Sequence, residues 1–264
     1  MLSLSGLRLR FGEAEIIAGI DLHIGAGELV VLLGPSGCGK TSLLRIAAGA
    51  ERATAGRVEN GFRRVAMVFQ DPRLLPWADA RDNAAFGLKA AGMGKTERRA
   101  IAEAILLRLG FSVRDLDKRP SQLSGGMMQR VSIARAFALS PDLVLMDEPF
   151  SALDVGLRHD LQALLRAEVE GAGAAVLFVT HDVTEAVRLA DRIVVFSPRP
   201  ACVVAEVTQA PMLASVGAAY EASAALLRRP EIAAALAAPE ASCLAVSGAR
   251  ERLSLAGRAT AAAS

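Results

Sequence analysis

The chain has 264 residues, which is room for one large domain or two small ones and enough to bury a core that needs no disulfides. Its net charge is only +2 and aromatic residues make up 4% of it, so it lacks the basic, aromatic-rich surface that binds nucleic acid. Its longest apolar runs are strand-sized, far below the ~20 residues of a membrane-spanning helix, so we expect any membrane link to come through a partner. The three cysteines have no metal-type spacing, and together with the lack of a secretory signal this favours a cytoplasmic protein with reduced thiols.

The N-terminal third predicts two kinds of strand. Residues 2–11, LSLSGLRLRF, alternate apolar and polar side chains, which is typical of a strand with one solvated face, and residues 16–24 predict its neighbour. We therefore expect an antiparallel layer first. Residues 28–34, ELVVLLG, are a continuous apolar run that ends in glycine, and the helix-compatible segment 40–49 follows. This order of strand, loop and helix is typical of a buried parallel strand.

Helical periods dominate from about residue 79 to 140, with the clearest helices at 97–110 and from Gly125 to Leu139. Two further buried strands follow, LVLMDEP at 143–149 and AAVLFVTHD at 174–182, separated by a stretch with helical periodicity. The predicted fold class is therefore α/β, with a core interrupted by a helical subdomain. After about Gln209 the chain is rich in alanine and broken by prolines, which predicts a helical appendage or a partly disordered end.

A glycine-rich loop, GPSGCGKT at 34–41, fits the phosphate-loop pattern G-x-x-x-x-G-K-[ST] and lies between a predicted strand and a predicted helix. Lys40 can reach the β and γ phosphates of a nucleotide, and the Thr41 hydroxyl can bind Mg²⁺. Positive potential in the loop could lower the pKa of Cys38. The favoured interpretation is that Cys38 only occupies one of the variable positions of the pattern and has no redox role. The glycines that let backbone N–H groups turn toward phosphate are Gly34, Gly37 and Gly39.

Polar side chains follow three of the predicted strands. Asp147 can hold the hydration shell of a magnesium ion, and the adjacent Glu148 can accept a proton from water that attacks the γ phosphate. Gln70 ends the run VAMVFQ and His181 ends FVTHD. Taken alone, each is more typical of an ordinary loop residue. Because ligands bind at the carboxyl ends of such strands, we expect Gln70 to contact Mg²⁺ or the attacking water and His181 to contact the γ phosphate.

A second serine-and-glycine turn lies at 121–130, SQLSGGMMQR. Ser124, Gly125 and Gly126 precede a predicted helix, whose N-terminus presents unpaired N–H groups and the positive end of the helix dipole. No lysine of the phosphate-loop kind follows them. The segment is therefore expected to be half of an anion site.

These motifs together, with SALD at 151–154, resemble the ATPase subunit of ATP-binding cassette (ABC) transporters over about residues 2–208. The resemblance implies a P-loop NTPase core with an antiparallel β subdomain and a helical signature subdomain at about 79–140, followed by a tail at 209–264. It also implies that ATP and Mg²⁺ bind between two copies paired head to tail, so that the signature turn of one copy caps the ATP of the other.

The resemblance carries roles to individual residues of this chain. Phe11 would stack on adenine, the alternative being a strand residue that faces the core. The catalytic residues would be Glu148, His181 and Gln70. The magnesium ligands would be Thr41, Gln70 and Asp147. The residues that would contact ATP are Phe11, Gly34, Pro35, Ser36, Gly37, Cys38, Gly39, Lys40, Thr41, Ser42, Ser124, Gly125, Gly126, Gln129 and Asp154.

Within the family, residues 69–88 and SPRP at 197–200 resemble importers of the nitrate, sulfonate and taurine class. Residues 74–77, Leu-Leu-Pro-Trp, are unusually apolar for a loop and could contact a permease helix, although Trp77 could instead pack into the helical subdomain. We expect ATP-driven closure of a homodimer to energise a separate permease at the cytoplasmic face of the inner membrane, with a solute-binding protein as an indirect partner. An exporter ATPase and a non-transport ABC ATPase stay open as alternatives.

Overall fold

The computed structural model describes residues 1–151, 153, 155–209, 216–237 and 253–254. The chain forms two compact units, residues 1–61 with 176–264 and residues 62–175. No helix in the described ranges is long and apolar enough to cross a bilayer. In chain order the elements are β1 (Leu2–Phe11), β2 (Ala14–Ile24), β3 (Leu29–Leu33), α1 (Lys40–Ala47), β4 (Ala55–Asn60), β5 (Val65–Val68), α2 (Ala80–Ala84), α3 (Phe86–Ala90), α4 (Lys95–Arg108), α5 (Gly125–Phe137), β6 (Leu143–Asp147), α6 (Val155–Ala172), β7 (Ala175–Thr180), α7 (Val183–Leu189), β8 (Arg192–Phe196), β9 (Val203–Thr208), α8 (Val216–Leu227), α9 (Pro230–Ala237) and β10 (Leu253–Ser254).

The first unit contains a three-stranded antiparallel sheet in the order β2-β1-β4. The apolar side chains predicted to face inward along β1 are buried: Leu2, Leu4, Leu7 and Leu9. The predicted antiparallel layer of β1 and β2 is thus present. All six residues of β4 are exposed, so the sequence has no hydrophobic pattern from which this strand could be predicted.

The same unit contains a second group of strands in the order β10-β9-β8-β3-β7. Strand β3 pairs in parallel with β7 and β8, and all five of its residues are buried. Burial of each Val or Leu side chain of this kind contributes about 1.5–3 kcal/mol. Leu33 pairs with Thr180, so β3 and β7 end at the same edge. The residues that follow these two strands, Gly34 and His181, therefore leave the strands at neighbouring positions.

The second unit contains the parallel pair β5 and β6, in which Val68 pairs with Met146. The predicted helical segment contains α2, α3, α4 and α5, and α6 follows β6 as its periodicity predicts. The predicted α/β class with a helical insertion agrees with these elements. The proposed boundary at 208/209 stays a prediction; α8 and α9 lie in the alanine-rich segment beyond it.

Candidate active site

The predicted site residues fall into two sets, one in each unit. In the first unit the phosphate loop leaves β3 and enters α1. Gly37 has φ 76° and Gly39 has φ 123°, which are backbone conformations that glycine adopts at little cost. A Cβ on Gly39 would lie 3.2 Å from the Ile16 carbonyl oxygen, whereas a Cβ on Gly37 would meet nothing within 4 Å. The loop is thus packed on one side and open at its tip, and this cradle at a helix N-terminus fits a phosphate group.

Lys40 is held inside the loop. Lys40 is 4% exposed, and its Nζ donates hydrogen bonds to the carbonyl oxygens of Gly34 and Pro35, both at 2.7 Å. The ammonium group therefore lies among the backbone groups that would surround phosphate. Pro35 and Thr41 are half-buried, whereas Ser36 is exposed at the loop tip. Ser42 is half-buried in the first turn of α1.

Cys38 is 2% exposed, and its Sγ lies 3.9 Å from Nζ of Lys40. Burial raises the pKa of the Cys38 thiol, and the smaller opposing effect of the Lys40 charge does not offset it. The expectation that the loop lowers the pKa of Cys38 is therefore wrong, because withdrawal from water outweighs the local positive field. The interpretation of Cys38 as a residue without a redox role fits this result.

We expect Cys38 to react with iodoacetamide at neutral pH at least about tenfold more slowly than the half-buried Cys202, since a buried thiol with a raised pKa offers little thiolate. Peptide mass spectrometry after a timed reaction of the native chain measures both rates. The same reaction in denaturant is the control, and there the two rates should converge. Faster labelling of Cys38 in the native chain would show that the loop activates its thiol.

His181 directly follows β7 and is exposed. The turn around it is fixed by its neighbours: Asp182 Oδ1 accepts a hydrogen bond from the Thr184 amide at 2.7 Å, and Thr180 Oγ1 donates to Glu185 Oε2 at 2.6 Å. Thr180 and Glu185 are both buried. A capped helix start on one side and a buried hydrogen bond on the other thus hold the His181 backbone in place.

Phe11 ends β1 and is 56% exposed. The alternative interpretation, a strand residue facing the core, is therefore not what the structure shows. An exposed ring at the end of a strand is available for stacking, and contact with adenine stays a prediction.

In the second unit, Asp147 ends β6 and is 8% exposed. Glu148 follows with φ 42°, a conformation that is costly for a residue with a side chain and that is concentrated at functional sites. The carbonyl oxygen of Glu148 accepts a hydrogen bond from Ser151 Oγ at 3.1 Å. Gln70 Nε2 donates to that same Ser151 Oγ at 3.4 Å. The structure therefore links Gln70 to the Glu148 backbone through Ser151, for which sequence reasoning assigned no role.

Ser124 caps α5, with its Oγ accepting a hydrogen bond from the Met127 amide at 3.3 Å. The two glycines after it differ in their surroundings. A Cβ on Gly126 would lie 2.3 Å from Leu157 Cδ2, whereas a Cβ on Gly125 would meet nothing within 4 Å. Packing against α6 thus explains Gly126, while Gly125 has open space that a ligand can use.

Two side chains of α5 hydrogen-bond to the backbone of the segment that follows β5. Gln129 is 3% exposed, and its Nε2 is 3.5 Å from the Phe69 carbonyl oxygen. Arg135 donates to the carbonyl oxygens of Pro72 and Arg73 at 2.7 and 2.9 Å. The buried position of Gln129 favours a role in holding this segment over direct contact with ATP. Arg135 was missed from the sequence, because an arginine within an amphipathic helix ordinarily faces solvent.

The loop before α2 presents Trp77, which is 71% exposed. Asn83, 1% exposed, fixes this loop: its Oδ1 accepts from the Leu75 amide at 2.7 Å and its Nδ2 donates to the Leu75 and Ala78 carbonyl oxygens. The alternative in which Trp77 packs into the helical subdomain is thus wrong.

Asp154 lies outside the described residues. Within the described part of the chain, no group of three or more His, Cys, Asp and Glu side chains is placed to hold a metal ion.

Comparison with known proteins agrees with this arrangement. The model of the family described as ABC transporter matches residues 17–151. The taurine import ATP-binding protein TauB of Escherichia coli is 43% identical over 208 residues, which cover 76% of this chain and 81% of that protein. The aliphatic sulfonates import ATP-binding protein SsuB of Rhodopseudomonas palustris is 45% identical over 198 residues, which cover 74% of this chain and 70% of that protein.

Solved structures give the same result. A dimeric bacterial ABC transporter cassette superposes with a TM-score of 0.68 at 32% identity, covering 74% of this chain and 94% of its own. A post-hydrolysis structure of that cassette bound to ADP and Pi superposes with a TM-score of 0.67, also at 32% identity. The chain therefore belongs to the ABC transporter family. It is an ABC ATPase of the importer class, and the fold class predicted from the sequence is confirmed.

Proposed function

We propose that this chain is the ATP-hydrolysing subunit of an importer for a small sulfonate, with taurine and aliphatic sulfonates as the first solutes to test. The observation that carries the proposal is its 43–45% identity, over about three quarters of the chain, to ATP-binding subunits named for the import of these solutes. The open phosphate cradle around Lys40 supports the nucleotide part of the proposal.

Residues of the first unit would bind the nucleotide itself, and residues of both units would hold its Mg²⁺. The inward N–H groups of the phosphate loop and the Lys40 ammonium bind the β and γ phosphates, and the exposed Phe11 ring stacks on adenine. Thr41, Gln70 and Asp147 would hold Mg²⁺ through the oxygen ligands that this ion prefers, and the ion would neutralise charge on the phosphates. His181, at the end of β7 beside the end of β3, hydrogen-bonds the γ phosphate.

Hydrolysis requires a base and an oriented water. Glu148 accepts the proton of the attacking water, and Gln70 orients that water. The hydrogen bond from Ser151 to the Glu148 carbonyl holds the residue in its left-handed conformation, so Ser151 positions the base. A strained residue of this kind keeps its geometry only where neighbours hold it.

The signature turn acts on a second copy of the chain. Ser124 and Gly125 cap the ATP that is held by the phosphate loop of the partner copy, because the α5 N-terminus and the open space at Gly125 suit an anion. The similarity to a cassette solved as a dimer supports the homodimer.

A permease is the proposed membrane partner, and it docks on residues 74–77 at the cytoplasmic face of the inner membrane. The exposed Trp77 gives this surface an aromatic anchor, and Asn83 holds the loop rigid. Gln70 precedes the same loop, so a change at the γ phosphate can reach the docking surface. A solute-binding protein would act on the other side of the permease.

The test is a pull-down of the tagged full chain from gently solubilised native membranes, with the recovered proteins identified by mass spectrometry. We expect a multispanning permease with the native chain and at least about fivefold less of it with Trp77→Ala, since a lost aromatic anchor weakens an interface strongly. Tyr220→Ala removes an aromatic side chain that is 55% exposed on α8 and is the matched control.

The recovered partners separate the candidate functions. A permease together with a solute-binding protein supports import. A permease whose own chain or companions mark it as an exporter overturns the import proposal. Recovery of the chain only in complexes free of membrane proteins favours a non-transport ABC ATPase.

A further inference from the structure

The loop after β8 reaches the phosphate loop through one side chain. Arg199 is exposed, and its Nη2 donates a hydrogen bond to the Gly37 carbonyl oxygen at 2.8 Å. Gly37 is at the tip of the phosphate loop, where a Cβ would meet nothing within 4 Å. Packing therefore does not restrain the tip on that side, and a glycine with φ 76° can rotate at low cost.

Arg199 is presented by a loop that is itself well anchored. The single hydroxyl hydrogen of Ser197 is shared between the carbonyl oxygens of Pro198 and Pro200, at 2.9 and 3.0 Å from Oγ, and Oγ accepts from the Cys202 amide at 3.0 Å. Ala201 pairs with β2: its amide donates to the Ile16 carbonyl at 2.8 Å, and its carbonyl accepts from the Ala18 amide at 2.9 Å. These bonds fix the loop independently of the bond to Gly37.

The bond to Gly37 sets the direction of a peptide plane. In a trans peptide the carbonyl of Gly37 and the N–H of Cys38 point in opposite directions. Arg199 holds that carbonyl outward. The Cys38 N–H consequently points into the loop, where it donates a long hydrogen bond, 3.4 Å from N to O, to the Pro35 carbonyl oxygen, the same oxygen that accepts from Lys40 Nζ. Because this bond is at the long end of the hydrogen-bond range, a phosphate oxygen that enters the loop can displace the Pro35 carbonyl and accept from the same N–H.

We propose that Arg199 is a positioning residue for nucleotide binding: through its hydrogen bond to the Gly37 carbonyl it keeps the Cys38 N–H turned toward the phosphates of ATP. The inference rests on the proposed binding of ATP by the phosphate loop. Arg199 itself does not contact the phosphates; it acts through the Gly37–Cys38 peptide.

The test compares the full chain with Arg199→Met, which removes the donor but keeps much of the side-chain length, and with Arg199→Lys, which keeps one charged donor. We expect the Kd for ATP, measured by calorimetric titration, to rise about three- to tenfold in Arg199→Met, as for the loss of one hydrogen bond, and less in Arg199→Lys. We expect the KM for ATP to rise with it while kcat changes little, because the bond is present before and during hydrolysis. Arg57→Met, which removes an exposed arginine that pairs with Glu59 on β4, should leave the Kd unchanged.

A second measurement does not use nucleotide. Amide hydrogen exchange at residues 36–39 of the nucleotide-free chain should be faster in Arg199→Met than in the native chain and in Arg57→Met. Hydrogen exchange also separates a local effect from general destabilisation if Arg199→Met lowers the melting temperature. A general loss of stability would raise exchange throughout the first unit, whereas a local effect would raise it only in the phosphate loop.

The outcomes distinguish this inference from the proposed function. A native chain that does not bind ATP overturns the proposed function. A native chain that binds ATP, with the same Kd and the same exchange at residues 36–39 in Arg199→Met, overturns the role of Arg199 alone. A Kd for Arg199→Lys as high as that for Arg199→Met, with unchanged exchange in both, would also contradict it.

Discussion

Replacement of Glu148 by Gln is expected to lower ATP turnover by about 10²- to 10⁴-fold, the range that a general base contributes, and to leave ATP binding intact. Gln has the same shape as Glu but cannot accept the proton of the attacking water. Its backbone carbonyl can still accept the Ser151 hydrogen bond, so the local conformation is preserved. The variant should therefore retain ATP and accumulate as a dimer.

Phosphate release measures turnover, and size-exclusion chromatography with and without ATP measures dimerisation. Glu170→Gln, which neutralises an exposed carboxylate paired with Arg166 on α6, is the matched control and should behave as the native chain. Robust phosphate release by Glu148→Gln would remove Glu148 from the role of base. Loss of ATP binding in this variant would instead indicate a structural role.

The strands of the core could be predicted because burial leaves a pattern in the sequence. The continuous apolar run of β3 and the alternation of β1 each correspond to the burial that the structure shows. Strand β4 gave no such signal, since all of its side chains are exposed and its position depends on pairing with β1. Strands β8 and β9 were missed as well, although β8 is almost entirely buried, because its short apolar run resembles other segments in an alanine-rich chain.

The local part of the site could likewise be predicted, because the phosphate loop is a single stretch of chain. Residues that act across the fold could not. Ser151 meets Gln70 and Arg199 meets Gly37 only through tertiary structure, 81 and 162 residues apart in sequence. Neither contact has a signature in the residue type or its spacing.

The pKa of Cys38 shows a different limit of sequence reasoning. The sequence places a thiol beside a lysine in a loop that attracts anions, and this neighbourhood alone predicts a lowered pKa. The sequence does not show how much water the thiol loses on folding. Burial is the larger effect, so the sign of the shift reverses.

The backbone of Glu148 and the carbonyl of Gly37 are both held in one direction by a neighbouring side chain. Ser151 fixes the backbone of the proposed base, Glu148, in the second unit. Arg199 fixes the Gly37 carbonyl, and with it the Cys38 N–H, in the first unit. Fixing these directions during folding removes a reorganisation cost from binding and catalysis. Variants of the neighbours should therefore have milder effects than variants of the groups themselves.

Lys40→Ala is the second substitution with a large expected effect, and it should act on binding itself. The native Lys40 is buried and its Nζ donates to two carbonyl oxygens, so the ammonium group lies within the loop. Its removal eliminates a charged donor to the phosphates, and we expect the Kd for ATP to rise at least about 10- to 100-fold. Calorimetric titration of the full chain with ATP measures this change.

Lys118→Ala removes a lysine that is 40% exposed and paired with Asp115, and as the control it should bind ATP as the native chain does. An unchanged ATP affinity in Lys40→Ala would contradict the proposed role of the phosphate loop. The contrast with Glu148→Gln is the sharper criterion: one variant should lose binding and the other only turnover. Both substitutions leave the apolar core in place. Loss of binding in Lys40→Ala together with loss of turnover alone in Glu148→Gln is therefore expected only if Lys40 acts in ATP binding and Glu148 acts in hydrolysis.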